Sequence, residues 1–202
     1  MSLKHSYTLL APIYDALIQR ATSHWRQHSA ALIDTDTDRH ILINGIGSGL
    51  DIPFLPVGPA YIGTDLTPAM LSRAAARRDL SGCEIQLQLA DSQSLPFADN
   101  SFDLVIMHLI LAVVPDPLQA LQEASRVLKP GGKIHLFDKF LKPGQLAPGR
   151  RFINLFSRHI ATRTDVVFET LLNESPALRL IHDQPALARG WFRFLLLQKS
   201  AD

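Results

Sequence analysis

Ile41-Leu42-Ile43-Asn44-Gly45-Ile46-Gly47-Ser48-Gly49-Leu50-Asp51-Ile52-Pro53 decides how this chain is built. Three consecutive apolar residues, Ile41 to Ile43, suit a strand covered on both faces. Gly45, Gly47 and Gly49 then let the backbone turn sharply and approach a ligand with no Cβ in the way. The stretch reads as strand, glycine turn and helix start, a cradle for a nucleotide-like ligand. Asp65 sharpens that reading. It ends a second short apolar run about 20 residues beyond Gly45, the separation at which a carboxylate grips both hydroxyls of a ribose.

Composition limits the rest. With 202 residues, 47% of them hydrophobic and 19% charged, the chain is expected to form one well-buried domain. The formal net charge is +1 and no basic stripe stands out, so no nucleic-acid partner is expected. Cys83 is the only cysteine, which excludes an internal disulfide and fits a reducing cytoplasm. Met1 to Ser6 lead into a mixed polar sequence without the apolar core of a signal peptide, and the run Leu109 to Val114 is too short to span a bilayer. A cytoplasmic protein, with room for peripheral membrane association, is the expectation.

Residues 6 to 33 carry Leu9, Leu10, Ile13, Leu17, Ile18 and Ala21 at helical spacing, with Pro12 separating two pieces. His24 and His28 share a face of the second piece but lack further ligands, so a solvated face is expected and no metal site. Beyond Asp65, Thr67 and Pro68 suit the cap and first position of a helix. Glu84 to Leu89 alternates polar and apolar as an edge strand does. Leu104 to Leu109 reads as a central strand, and Asp116-Pro117 starts a helix that Lys129-Pro130-Gly131-Gly132 stops. Lys133 to Phe137 is another strand. Alternating strands and helices from 40 to 140 are the pattern of a doubly wound, mostly parallel α/β sheet.

Residues 41 to 137 resemble the class I S-adenosylmethionine-dependent methyltransferases, in the branch that includes the quinone and phospholipid N-methyltransferases. The resemblance rests on Gly45-Ile46-Gly47-Ser48-Gly49, on Gly63-Thr64-Asp65-Leu66-Thr67-Pro68-Ala69-Met70-Leu71 and on Ala90-Asp91-Ser92-Gln93-Ser94-Leu95-Pro96-Phe97. Ser101-Phe102-Asp103-Leu104-Val105 and Glu123-Ala124-Ser125-Arg126-Val127-Leu128-Lys129-Pro130-Gly131-Gly132 complete it. It implies a Rossmann-like, seven-stranded sheet whose last strand, Trp191 to Lys199, is antiparallel and follows a strand near Leu178 to His182. One domain over residues 1–202 is expected: N-terminal capping helices at 1–38, a cofactor-binding core at 39–141, a lid helix within 142–175 and closing strands at 176–202.

The implied cofactor is S-adenosylmethionine. By resemblance, Asn44, Gly45, Ile46, Gly47, Ser48 and Gly49 pass its methionine end, Asp65 holds the ribose, and Leu66 lies against the adenine with Met70 nearby. Asp91 accepts the adenine amino group, with Ser92 beside it. His108 and Leu109 line the region near the sulfonium, and His108 is the candidate general base because its pKa lies near neutrality. Two of these have structural alternatives: Asp91 as a turn cap and His108 as a hydrogen-bonded core histidine. One position departs from the family. The acid two residues before the first glycine is here Ile43, which leaves Asn44, Asp51 or backbone carbonyls to meet the cofactor's ammonium.

Tyr7-x-x-x-Ala11-x-x-Tyr14-Asp15 resembles the opening of the quinone and phospholipid enzymes, which places Tyr7 and Tyr14 at cofactor or substrate; aromatic helix packing is the alternative. Arg150 and Arg151 begin a basic, apolar segment suited to a phosphate head group or an anionic membrane, or simply to covering the sheet. The implied partner is a small or lipophilic acceptor, a phospholipid head group or quinone precursor. Met107-His108-Leu109-Ile110 lacks the Asn/Asp-Pro-Pro-Tyr element of enzymes that methylate DNA bases or glutamine. Two rivals remain: a protein that binds the cofactor without catalysis, as the loss at Ile43 suggests, and more distantly a dinucleotide-dependent oxidoreductase.

Overall fold

A computed structural model describes residues 20–141 and 166–201. The expectations for the helix before residue 20, for Tyr7 and Tyr14, and for the lid segment with Arg150 and Arg151 lie outside the described residues.

Seven strands make one sheet: β1 (His40–Asn44), β2 (Ala60–Asp65), β3 (Ile85–Leu89), β4 (Phe102–His108), β5 (Leu128–Lys139), β6 (Leu178–Pro185) and β7 (Phe192–Lys199). Their order is β3-β2-β1-β4-β5-β7-β6. The first five are parallel, and β7 runs antiparallel to both neighbours, as the resemblance implied. Strand order reverses between β1 and β4, so the crevice for a ligand opens at the carboxyl ends of those two strands.

The alternation of side chains along each strand divides the core between two faces. Ile41 and Ile43 of β1 pack with Tyr61, Leu104 and Ile106, against Ala74 of α2 (Pro68–Arg78) and Ala30 of α1 (residues 20–31). Leu42 points the other way with Val105, Met107, Ile134 and Leu136. There it meets Ala120, Leu121 and Ala124 of α3 (Pro117–Val127) and Phe168 and Leu171 of α4 (Phe168–Asn173). Each wholly buried Leu or Ile contributes about 1.5–3 kcal/mol through removal from water, which is why β1, with three consecutive apolar residues from Ile41 to Ile43, sits at the centre. Trp25 of α1 stacks on Phe137 and Phe194, fixing α1 over β5 and β7.

Local signals were read well at some helix ends and poorly at others. Asp116 caps α3 as expected, its carboxylate accepting from the Leu118 and Gln119 amides at 3.0 and 3.1 Å. Thr67 stands at the N-cap of α2, yet its side chain makes no capping bond. The Asp65 carboxylate instead takes the Thr67 amide at 2.8 Å, which ties the helix start to the end of β2. Lys129-Pro130-Gly131-Gly132 does not form the stop of α3. The helix ends at Val127, Leu128 is already extended, and the four residues belong to the irregular beginning of β5, where its register with β4 shifts. Of the histidine pair on α1, His24 is exposed, whereas His28 is half buried with its ring edge-on to Trp25 and Phe194.

Candidate active site

The glycine turn hangs from β2. The Gly45 and Ile46 amides both donate to the Thr64 carbonyl, at 2.9 and 2.8 Å, and the Gly47 amide donates to Asp65 Oδ2 at 3.0 Å. Gly45 has no room for a Cβ, which would strike the Ile110 side chain at 2.6 Å. Gly47 differs: it adopts φ 56° with open space where a Cβ would be, so its backbone faces the crevice. Ile46 is buried among the apolar residues of that face, and its backbone serves the turn at both ends, the carbonyl accepting from the Gly49 amide at 3.0 Å. Ser48 is also buried, and its carbonyl accepts from the Arg77 guanidinium of α2. Gly49 approaches the Ala74 backbone of the same helix.

Asp65 is half buried. Each of its oxygens takes one amide, from Gly47 and Thr67, and each keeps a further lone pair for an outside donor such as a hydroxyl. Leu66 beside it is 66% exposed, an apolar surface with no neighbour to cover it. Met70 lies half buried on the first turn of α2. Asp91 follows the end of β3 and accepts from the Gln93 amide at 2.9 Å and from the Gln93 side chain, so the turn-capping role is present. Ser92 points inward rather than lying beside Asp91: its hydroxyl donates to Asn44 Oδ1 at 2.7 Å. Asn44 is wholly buried, and its Nδ2 has no partner among the described residues. The free group on Asn44 is thus a donor, which suits an acceptor atom and not an ammonium.

His108 closes β4, with its side chain almost fully enclosed. Its Nδ1 lies 2.7 Å from Asp51 Oδ1, while Nε2 is buried without a partner among the described residues. The other Asp51 oxygen receives Arg26 Nη1 of α1 at 2.5 Å, and Arg26 Nε donates to Thr22 Oγ1 at 3.1 Å. Burial alone would raise the Asp51 pKa, but the Arg26 charge and the His108 ring outweigh it and hold the carboxyl below the usual carboxylate range. Asp51 thus joins α1 to the end of β4, taking Arg26 on one oxygen and His108 on the other. Leu109 follows at φ 61°, a left-handed backbone for a branched side chain, pinned by its amide bond to the Phe137 carbonyl at 2.7 Å. Asp138, at the end of β5, accepts from the Ala112 and Lys139 amides at 3.1 and 2.8 Å and is wholly buried.

The structure brings Asn44 together with Ser92, and the glycine turn together with Asp65. It also builds the Arg26–Asp51–His108 chain, whose full extent the sequence did not disclose. Asp51 stands inside the decisive stretch, where the sequence offers it only as one of the groups that could meet the cofactor's ammonium. Arg26 carried no signal, because nothing in its spacing distinguishes it from a surface arginine.

A family model described as a methyltransferase domain matches residues 42–136. The demethylmenaquinone methyltransferase of Paenarthrobacter aurescens strain TC1 is 32% identical over 199 residues, spanning 90% of this chain and 75% of that protein. The chain belongs to the class I S-adenosylmethionine-dependent methyltransferases. The phosphatidylethanolamine N-methyltransferase of Cereibacter sphaeroides is 28% identical to this methyltransferase over 190 residues, 93% of each chain. The crystal structure of a putative sarcosine dimethylglycine methyltransferase from Galdieria sulphuraria shares its fold, with a TM-score of 0.75 at 18% identity over 89% of this chain and 86% of that one.

The cofactor that membership implies, S-adenosylmethionine, fits the residues present. Open space at Gly47, the spare lone pairs of Asp65, exposed Leu66 and the Asn44 Nδ2 without a partner among the described residues all lie at or just beyond the carboxyl ends of β1 and β2.

Proposed function

We propose that this methyltransferase acts on a lipophilic acceptor that bears a proton at the reacting atom, a phospholipid amine head group or the hydroxylated ring of a quinone precursor. The observation that carries the proposal is the similarity to a phosphatidylethanolamine N-methyltransferase along 93% of both chains, with no part of the core left over for a different acceptor domain. The relative named for demethylmenaquinone supports the same lipophilic class. Among the described residues no helix is long and apolar enough to cross a membrane, so the acceptor would be met at a membrane surface or as a dispersed lipid.

When bound, S-adenosylmethionine supplies a methyl group already activated on a positively charged sulfur. Little acid or base power is then asked of the protein. Asp65 holds the ribose hydroxyls, Leu66 covers a purine face, and the Gly47 backbone and Asn44 Nδ2 offer polar contacts. The enclosed walls at His108, Leu109 and Ile110 exclude water from the reacting atoms. His108 takes the proton of an ammonium or phenol.

The test is transfer of a radiolabelled methyl group to phosphatidylethanolamine vesicles and, separately, to demethylmenaquinone supplied in its reduced, hydroquinone form. Labelled lipid from either confirms the acceptor class. No transfer to either, with calorimetric binding of S-adenosylmethionine intact, would favour the second reading, a protein that binds the cofactor without catalysis. The observation on that side is Ile43, wholly buried where the family carries an acid.

A further inference from the structure

We infer that Asp51 and Arg26 are positioning residues for His108: they fix the imidazole so that Nδ1 carries the hydrogen and Nε2 presents a lone pair to the proton-bearing group of the acceptor. This rests on the proposed function for its acceptor, but the tautomer itself does not.

Asp51 is ionised and can only accept, so its 2.7 Å contact with His108 requires hydrogen on Nδ1. A neutral ring with hydrogen there has Nε2 as an acceptor. That atom is buried and, among the described residues, unpartnered at the carboxyl end of β4, beside the crevice where strand order reverses. A histidine kept only for packing would satisfy both nitrogens, since an orphaned buried acceptor is a cost without return. Arg26 completes the device. It takes Asp51 Oδ2, which fixes the orientation of the carboxylate and keeps it charged. Arg26 is itself held rigidly, because α1 is anchored by Trp25 on Phe137 and Phe194 and by the Ser29 hydroxyl 3.1 Å from His135 Nδ1.

The proton balance is simple. When the acceptor's N–H or O–H bond breaks, its electron pair stays on the acceptor atom and the proton passes to Nε2. The resulting imidazolium is stabilised by Asp51, which remains ionised, and releases its proton to solvent when the site opens. The charge gained on the ring matches the sulfonium charge that methyl transfer cancels. Among the described residues the ionisable groups around His108 are Asp51 after β1, Arg26 on α1 and His135 on β5; the edge-on Phe137 ring is uncharged. Burial above all holds His135 down to about 3, so it stays neutral and does not compete for the proton.

The experiment uses the full chain, labelled with ¹⁵N-histidine and saturated with S-adenosylhomocysteine, and reads the His108 tautomer by long-range proton–nitrogen correlation. The wild type is expected to show hydrogen on Nδ1. Asp51→Asn should move it to Nε2 and lower kcat for methyl transfer to phosphatidylethanolamine vesicles by about 100-fold or more, with cofactor affinity kept. Asp51→Glu should restore both the tautomer and most of the rate. Should Asp51→Asn not fold, Arg26→Lys is read instead, with the Nδ1 tautomer retained and the acidic limb of the pH–rate profile displaced. Hydrogen on Nε2 in the wild type, or an unchanged kcat in Asp51→Asn, overturns the inference. A wild type that binds S-adenosylhomocysteine and shows the Nδ1 tautomer but methylates neither lipid nor demethylmenaquinone refutes the acceptor class and leaves the positioning role supported.

Discussion

The Ser92 hydroxyl donates to Asn44 Oδ1 across 2.7 Å, joining the loop after β3 to the end of β1 inside the protein. The two residues are 48 apart in sequence; Ser92 belongs to one of the motifs that carry the family resemblance, and Asn44 directly precedes another. Their bond turns a possible ammonium ligand into a donor, and it holds the loop that carries Asp91 close to the glycine turn.

Ser92→Ala leaves Asn44 Oδ1 with only the long contact to Thr64 Oγ1, at 3.5 Å. A loss of about 1 kcal/mol of stability is expected, together with a weaker cofactor affinity as the Asn44 amide loses its orientation. Urea unfolding and calorimetry measure the two separately. An unchanged affinity would remove Asn44 Nδ2 from the cofactor site.

Asp65→Ala acts on both sides of the same crevice. The Gly47 and Thr67 amides lose their acceptor, and the ribose loses its carboxylate. Binding of S-adenosylmethionine should weaken by about 2 kcal/mol, roughly 30-fold, since bonds to charged groups are the stronger kind. Calorimetric titration with the cofactor, and with NAD as control, decides it.

Much of this geometry could be read in the sequence because it depends on local chemistry. Glycines at 45 and 47, an acid at the end of the second apolar run and Asp116-Pro117 before a helix each have one dominant physical reading. What escaped is long-range pairing. Arg126 was recognised only as part of a motif, whereas in the structure its guanidinium donates to the Leu95 and Phe97 carbonyls and pairs with Glu123, which in turn takes the Leu95 amide. Two motifs that look independent in sequence thus form one clamp. The Arg26–Asp51–His108 chain escaped for the same reason, since α1, the glycine turn and β4 meet only after the sheet forms. Thr67 failed in the opposite sense: it stands at the N-cap as its residue type suggests, but its side chain makes no capping bond and its own amide goes to Asp65.

Two buried groups give opposing pH dependence. Burial pushes Asp138 up to about 6 despite the amides it accepts from, so the native state keeps a proton that the unfolded chain releases between about pH 4 and 6, and stability falls as pH rises there. His135, held down to about 3, makes the unfolded chain the better proton binder between about pH 3 and 6.5, so stability rises with pH across that window. Asp51, lowered by its partners, acts only below the ordinary carboxylate range. Asp138→Asn removes the falling slope. Its stability should then climb from pH 4 to 6 more steeply than the wild type's, by up to about 1.4 kcal/mol per pH unit. Urea midpoints at three pH values give the slope, and equal slopes would mean that Asp138 titrates as an ordinary carboxylate.

Ile43→Asp restores the residue type that the family carries before its glycines, but into surroundings built for isoleucine. The side chain is 1% exposed and packs with Ile41, Ile46, Ile52 and Ile106, where a carboxylate finds no cation in the unliganded protein. Its introduction should cost about 3 kcal/mol or more. S-adenosylmethionine brings an ammonium that can neutralise the new charge, so it should raise the melting temperature of the variant by more than it raises that of the wild type. Thermal unfolding with and without the cofactor makes the comparison. Equal shifts would place Ile43 beyond the cofactor's reach and make the missing acid irrelevant to binding. A larger shift in the variant would show that this chain holds its cofactor without a contact its relatives use, and that Asp65, Gly47 and Asn44 must carry more of the affinity.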